Sequence, residues 1–267
     1  GDAELENLGK YLAGGGFVAA WSTNTDVGLG FNVAMRRFGP AGAALGAENA
    51  VNQFVDSVEG DVRVAVDGDD RILVVWSSLN QDGSGNGIIG RVYAGDAALG
   101  DEGILNTVTL GTQSDPAAAG LADGGFIVVW QSDGEDGDGF GIFGQTLDGD
   151  GAPAGAAFPV NLFTSNSQRF PAVAADPAGG FHVAWQSAWQ DGDDSGVFAR
   201  EFGPGGPPSG GAEVPLNEFT TGAQDYVDVA VLADGLRVYA WRSVDLDGDG
   251  DGVFAQRLAA DGAKVVH

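Results

Sequence analysis

The sequence predicts an all-β fold, a five-bladed β-propeller of four-stranded blades about 55 residues long. Three observations carry this. Trp21, Trp76, Trp130, Trp185 and Trp241 stand 55, 54, 55 and 56 residues apart. Each closes a short apolar run: FVAAW, ILVVW, FIVVW, FHVAW and RVYAW. No stretch longer than about ten residues repeats its apolar positions at the helical period, whereas short apolar runs broken by Gly, Asp and Pro recur throughout. A solenoid and a piece of a larger propeller are the alternatives. Nothing resembles a capping repeat, which counts against the solenoid.

Within a period the first strand is small and apolar, as in PAVAA at 171–175 and VDVAV at 227–231. Small side chains suit innermost strands that crowd around an axis. The second strand ends at the Trp, bulky enough to fill the gap between neighbouring blades. Glycine follows seven residues later, at Gly28, Gly83, Gly137, Gly192 and Gly248. Eleven residues after the Trp stand Gly87, Gly141, Gly196 and Gly252, with Asn32 in the first copy. The third strand follows, and each copy carries Arg36, Arg91, Gln145, Arg200 or Gln256 four residues on. The fourth strand reads FPVN or EVPLN. Its asparagine, Asn52, Asn106, Asn161 or Asn217, lies 24 residues before the next Trp. Three copies extend this to Asn-x-x-Thr-x-x-x-Gln, as in Asn106/Thr109/Gln113, Asn161/Thr164/Gln168 and Asn217/Thr220/Gln224.

The expected organisation is one domain over 1–267, with repeats near 1–46, 47–100, 101–155, 156–211 and 212–267. Five periods of 55 exceed the 267 residues by eight, and the shortfall falls on the outer strand of the fifth blade. Either the tail Lys264–His267 supplies a stub or residues outside this sequence complete it. The start at Gly1, with Met35 the only methionine, is expected of a processed form or a fragment.

Composition bounds the partners. With 12 Lys+Arg against 38 Asp+Glu the formal net charge is −26. A phosphate backbone and an anionic membrane surface are repelled, and divalent cations are attracted. No apolar run approaches the roughly 18 residues of a membrane span. The absence of cysteine removes disulfides, thiolate metal sites and cysteine nucleophiles.

The loop between the second and third strands is the candidate for chemistry. Its copies NQDGSGNG (80–87), SDGEDGDG (132–139), QDGDDSG (190–196) and DLDGDGDG (245–252) alternate oxygen-bearing side chains with glycine. Ca²⁺ takes six to eight oxygens, and such alternation lets a curling backbone converge them. The expected ligands are Asp82, Ser84 and Asn86; Asp133, Asp136 and Asp138; Asp191 and Asp193; and Asp245, Asp247, Asp249 and Asp251. The expected affinity is weak, roughly 10⁻⁴–10⁻³ M. The competing reading is that Asp-Gly pairs are ordinary turn residues. Copy one departs, with Val27 and Leu29 at the two main positions and Asp26 one residue out of phase.

Trp189, off the repeat register in the fourth loop, is a candidate sugar-stacking residue or a lid over the neighbouring hairpin. Phe31 and Phe140 share one loop position and are further ligand-contact candidates. The Asn/Thr/Gln set reads either as turn capping or as one ligand site per blade. His182 replaces an apolar residue on a second strand, and with His267 terminal nothing supports a zinc site or a His-based triad. Acids recurring once per repeat show no asymmetric pair, so the expectation is that the chain is not an enzyme.

GGFIVVWQSDGEDGDGFGIFGQ at 124–145 and PVNLFTSNSQ at 159–168 resemble repeats of large secreted bacterial RTX and adhesin-type proteins. The resemblance implies calcium binding, export and an extracellular or surface setting, with the Asp residues above as ligands. The RTX nonapeptide is absent, so the export β-roll is not implied. The function expected from all this is a calcium-binding extracellular module that binds carbohydrate. The alternatives are a structural or protein-interaction spacer stiffened by calcium, and a polysaccharide-acting enzyme.

Overall fold

The computed structural model describes residues 7–24, 30–204, 211–246, 248 and 250–265. Among them there is no helix, and the strands form five antiparallel sheets. The first holds β1 (Asn7–Tyr11), β2 (Phe17–Asn24), β3 (Phe31–Phe38) and β4 (Asn49–Ala50). The second holds β5 (Glu59–Val66), β6 (Arg71–Leu79), β7 (Asn86–Ala94), β8 (Ala97–Ala98) and β9 (Gly103–Ile104); both β8 and β9 pair with β7. The third runs β10 (Gln113–Gly120), β11 (Phe126–Asp133), β12 (Phe140–Leu147) and β13 (Phe158–Pro159). The fourth runs β14 (Gln168–Ala175), β15 (Phe181–Ala188), β16 (Ser195–Phe202) and β17 (Val214–Pro215). The fifth has three strands among the described residues, β18 (Gln224–Val231), β19 (Arg237–Val244) and β20 (Asp251–Leu258). One sheet per tryptophan period is the five-bladed β-propeller class that the repeats predict.

By contact the chain divides into two compact units, Gly1–Val128 with Gln145–Ala157 and Val129–Gly144 with Phe158–His267. The boundary passes through the third sheet. In the first unit Trp76 packs with Val33, Met35 and Val51 of the preceding blade and with Val62 and Val64 of its own. In the second, Trp241 packs with Val197, Ala199 and Leu216 of the preceding blade and with Val227 and Val229. Each such ring fills an inter-blade gap. Burying 150–250 Å² of aromatic surface contributes on the order of 4 kcal/mol of transfer free energy. Small residues let the inner strands approach. A Cβ on Gly120 would stand 1.9 Å from the Val66 carbonyl oxygen, so β10 lies on β5 only because Gly120 has none.

The strand-three Arg/Gln positions hold the connection to the fourth strand. Arg36, Arg91 and Arg200 donate from Nε to the Gly46, Gly100 and Gly211 carbonyls at 3.0, 3.0 and 2.9 Å. Gln145 Nε2 donates to Gly155 at 3.1 Å. Arg91 and Arg200 also reach the Val51 and Val160 carbonyls, just past the preceding fourth strand, at 2.8 and 2.7 Å.

Candidate functional site

The acidic hairpins share one backbone form. In four copies the N–H four residues after the Trp donates across the loop: Asn80 to Gly85, Gly134 to Gly139, Trp189 to Asp194 and Asp245 to Gly250, at 2.5–2.6 Å. The glycine seven residues after the Trp has φ of 101°, 108°, 104° and 90° at Gly83, Gly137, Gly192 and Gly248, which only glycine adopts readily.

The structure gives the loop carboxylates nitrogen partners. Asp82, Asp136 and Asp191 each accept from the Nδ2 of Asn106, Asn161 and Asn217, at 2.8, 3.0 and 2.8 Å. Each asparagine also accepts from a third-strand N–H, Ile88, Ile142 or Val197, at 2.7, 2.7 and 3.0 Å. Its Nδ2 reaches Gln113, Gln168 or Gln224 at 3.1, 3.1 and 3.0 Å. Two residues further along the loop, Ser84, Asp138 and Asp193 accept from the Gly111, Asn166 and Gly222 N–H groups at 3.4, 3.0 and 3.2 Å. The hairpin is thus latched to the fourth strand and to the segment entering the next blade.

The latch explains two columns of the repeat together. A Cβ on Gly87, Gly141 or Gly196 would stand 2.7, 2.5 or 2.4 Å from the carboxylate of Asp82, Asp136 or Asp191. In copy one the exchange is reciprocal: Val27 replaces the aspartate and Asn32 replaces the glycine. The Asn32 side chain then supplies the acceptor itself, 2.9 Å from Asn52 Nδ2. Gly141→Ala is expected to cost about 2 kcal/mol by overpacking the Asp136 carboxylate, read as a lowered urea midpoint at unchanged slope.

Among the described residues no three His, Asp or Glu side chains form a metal-holding group. Asp133 is exposed at the end of β11 and Asn86 is half-buried at the start of β7. Asp245 accepts from Gly250 N at 3.1 Å, and Asp251 accepts from Arg242 at 3.0 Å. Asp247 and Asp249 lie outside the described residues, as do Asp26, Val27 and Leu29. Asp82, Asp136, Asp138, Asp191 and Asp193 thus accept from N–H donors of the following segment.

The aromatic candidates separate. Phe140 lies under the Arg169 guanidinium, 4.1 Å from its ring centroid. Phe31 is partly exposed. Trp189 is 59% exposed at φ 62°, in a slot that Asn80, Gly134 and Asp245 fill in the other copies. Asn, Gly and Asp tolerate that left-handed conformation, and a tryptophan there carries strain. His182 is buried, with Nε2 3.2 Å from Asp176 Oδ2, and burial pushes its pKa down.

Carboxyls that break the repeat lie elsewhere. Seventeen residues before the Trp, Gln113, Gln168 and Gln224 are replaced in copy two by Glu59. Glu59 is 1% exposed beside Ser57, Ser78 and Trp76, with neither oxygen in a well-formed hydrogen bond, and burial raises its pKa to about 7. Two residues on, the backbone enters the left-handed region at Asp61, Asp115, Phe170 and Tyr226, with φ of 51°, 50°, 52° and 50°. β5, β14 and β18 shift register there. For Phe and Tyr this is a strained conformation, of the kind that functional sites retain. The rings of Phe170 and Tyr226, on adjacent first strands, stand 5.5 Å apart, so this position brings neighbouring copies together. Asp61 and Asp115 hold the same position on the adjacent strands β5 and β10. Asp61 accepts from the Ser77 hydroxyl at 2.7 Å and Asp115 from Ser114 at 3.1 Å. Glu135 also departs, standing where Gln81 and Gln190 donate to Glu102 and Glu213 at 2.7 Å; burial raises its pKa, against a hydrogen bond from Ser132. Comparing each column of the repeat across copies is the signal that finds these acids.

No protein-family model and no curated protein matches the chain. Solved structures do. A protein of unknown function from Dyadobacter fermentans is similar over 95% of this chain and 78% of its own, at 12% identity and a TM-score of 0.61. An α-L-arabinanase of Penicillium chrysogenum, complexed with arabinobiose, is similar over 91% and 78%, at 14% identity and 0.54. An α-L-arabinofuranosidase of Fusarium graminearum, with an iminosugar inhibitor, is similar over 93% and 79%, at 13% identity and 0.54. The likeness is one of fold. It corrects the expectation that the chain is not an enzyme, because an arabinanase and an arabinofuranosidase are built on this same fold. The argument from symmetric acids fails for a physical reason too, since Glu59, Asp61 and Asp115 are asymmetric. The propeller fold of the RTX and adhesin resemblance stands, but the similar arabinanase and arabinofuranosidase are hydrolases rather than RTX or adhesin repeats.

Proposed function

We propose that the protein is a polysaccharide-acting glycoside hydrolase with Asp61 and Asp115 as its carboxyl pair. The observation that carries this reading is their placement: two aspartates occupy a strained, repeat-equivalent position on adjacent inner strands where the later copies have aromatic rings. Glycoside hydrolysis needs two carboxyl groups flanking the bond. One protonates the leaving oxygen, and the other activates water or attacks the anomeric carbon. The fold shared with an arabinanase and an arabinofuranosidase supports the same class of substrate. Trp189, exposed on the second unit despite its strained backbone, is proposed as a sugar-stacking residue in its own right, apart from the carboxyl pair of the first unit. A net charge of −26 favours neutral over acidic polysaccharides. The extracellular setting expected from the sequence belongs to this proposal, and no step in it runs through calcium.

The test is sugar release from arabinan, arabinoxylan and xylan by the full chain and by Asp61→Asn and Asp115→Asn. Each variant is expected to lose about 10²–10⁴-fold in kcat while keeping its melting temperature. No release from any neutral polysaccharide, or unchanged rates in both variants, sinks the proposal.

A further inference from the structure

A basic residue breaks the repeat beside the carboxyl pair. Two residues after the position of Asp61 and Asp115, copies two to five carry Arg63, Ala117, Ala172 and Asp228. The arginine therefore occurs on the same strand as Asp61, in a column that otherwise holds alanine or an acid.

The register places Arg63 on the face of the pair. β5 and β6 shift register between Gly60 and Arg63, and past the shift Arg63 stands opposite Val75. Asp61 accepts from the hydroxyl of Ser77, two residues from Val75 on β6. Alternate residues of β6 share a face, and residues opposite one another share it too, so Asp61 and Arg63 project from one side of the second sheet. The other side carries Val62, Val64, Val74 and Trp76 into the core shared with the first sheet. The side with Asp61 and Arg63 thus faces the third sheet, whose first strand β10 bears Asp115 and Ala117. All these residues belong to the first unit. Extra residues of this kind in a strand re-aim side chains beside functional sites.

Arg63 is half-buried, yet among the described residues its guanidinium bonds only the Val62 carbonyl, at 3.0 Å, and makes no ion pair. Other arginines of this acidic chain do pair: Arg37 with Asp96, Arg71 with Asp69, Arg237 with Glu201 and Arg242 with Asp225. An arginine serving only to hold the sheet would close on Asp61, its neighbour on the same face. Asp61 instead takes the Ser77 hydroxyl, and Arg63 keeps N–H donors to spare beside the carboxyl pair.

We infer that Arg63 binds the substrate of this site, holding the adjacent O-2 and O-3 hydroxyls of a neutral sugar ring with two N–H groups of its guanidinium. The inference rests on the glycoside hydrolase proposed above. The planar fork of a guanidinium matches two neighbouring oxygens. A carboxylate or a phosphate also matches it, but Asp61, Asp115 and a net charge of −26 repel both. A pentose linked through O-4 or O-5 keeps O-2 and O-3 unsubstituted, so xylan and arabinan backbones both present the pair. The contact fixes the ring between the two carboxyls, which is what a positioned glycosidic bond requires.

Calorimetry with xylotriose and arabinotriose on the full chain carrying Asp61→Asn measures binding without turnover. Arg63→Ala installs the residue of copies three and four, so it is expected to keep the melting temperature while weakening the tighter-bound sugar about tenfold or more. Arg63→Lys keeps the charge without the fork and is expected to bind as weakly as Arg63→Ala. A 2-deoxy trisaccharide is expected to lose most of that factor when Arg63 is present and little more when it is alanine. In the chain with Asp61 intact, both Arg63 variants are expected to raise KM by the same factor with kcat changed by no more than about twofold. The inference is overturned if neither trisaccharide binds, if Arg63→Ala binds as tightly as the parent, if lysine restores binding, or if the 2-deoxy sugar loses equally with and without Arg63. Failure of the carboxyl pair gives a different result: Asp61→Asn and Asp115→Asn then release sugar at the parent's rate, and binding that still depends on Arg63 supports the inference.

Discussion

Glu59→Gln is expected to stabilise the protein by about 3 kcal/mol at pH 8 and to change it little at pH 4. Burial holds the Glu59 pKa near 7, above its ordinary 4.5, with the charge of Glu102 pushing the same way and Ser78, Trp76 and Ser57 opposing. The folded state therefore binds more protons than the unfolded chain between these values. Stability is full below pH 4.5, falls as the pH rises through about 7, and is flat above. Gln cannot ionise, and it restores the residue that copies three to five carry. There it accepts from the Asn amide and donates to a turn carbonyl, as Gln113 does to Leu110 at 3.2 Å. Urea melts at pH 4, 6 and 8 test this. A variant whose stability follows pH as steeply as the parent would show that Glu59 is not the titrating group.

The fold was legible because the architecture is written into the chain five times. A bulky Trp at a fixed interval, small residues before it and a Gly-rich loop after it each answer one packing demand, and the tryptophans of copies two to five are buried as that demand requires.

The site was less legible, because residue type and spacing along the chain do not say which atoms face each other. Asp136, Asp138 and their neighbours have the spacing of calcium ligands, yet their partners are Asn161 and the Asn166 N–H, 25 and 28 residues away. The available clue was reciprocal change: aspartate with glycine in copies two to four, Val27 with Asn32 in copy one. The asymmetric acids were hidden for another reason. Glu59, Asp61 and Asp115 sit at the starts of the first strands, outside the loops where carboxylates are dense, and only the later copies Phe170 and Tyr226 set the Asp61/Asp115 column apart.

Asn161→Ala is expected to cost on the order of 4 kcal/mol, among the largest single-residue effects in the molecule. Asn161 accepts from Ile142 N at 2.7 Å and donates to Phe163 O, Gln168 Oε1 and Asp136 Oδ2 at 2.8, 3.1 and 3.0 Å. Alanine orphans the Ile142 N–H and the Gln168 Oε1, both buried, and leaves the half-buried Asp136 carboxylate without its asparagine donor. Unsatisfied buried groups cost about 1–3 kcal/mol each, so two suffice for this magnitude. Asn161→Asp separates the latch from a metal site. It keeps the acceptor for Ile142 but turns the donor into a second carboxyl facing Asp136, so the loss is expected to be greater at pH 7 than at pH 4. If the hairpin carboxylates are held by N–H donors, millimolar calcium does not restore Asn161→Asp at pH 7. If calcium raises its urea midpoint to that of the parent, the carboxylates are metal ligands and the latch is the wrong account of this loop.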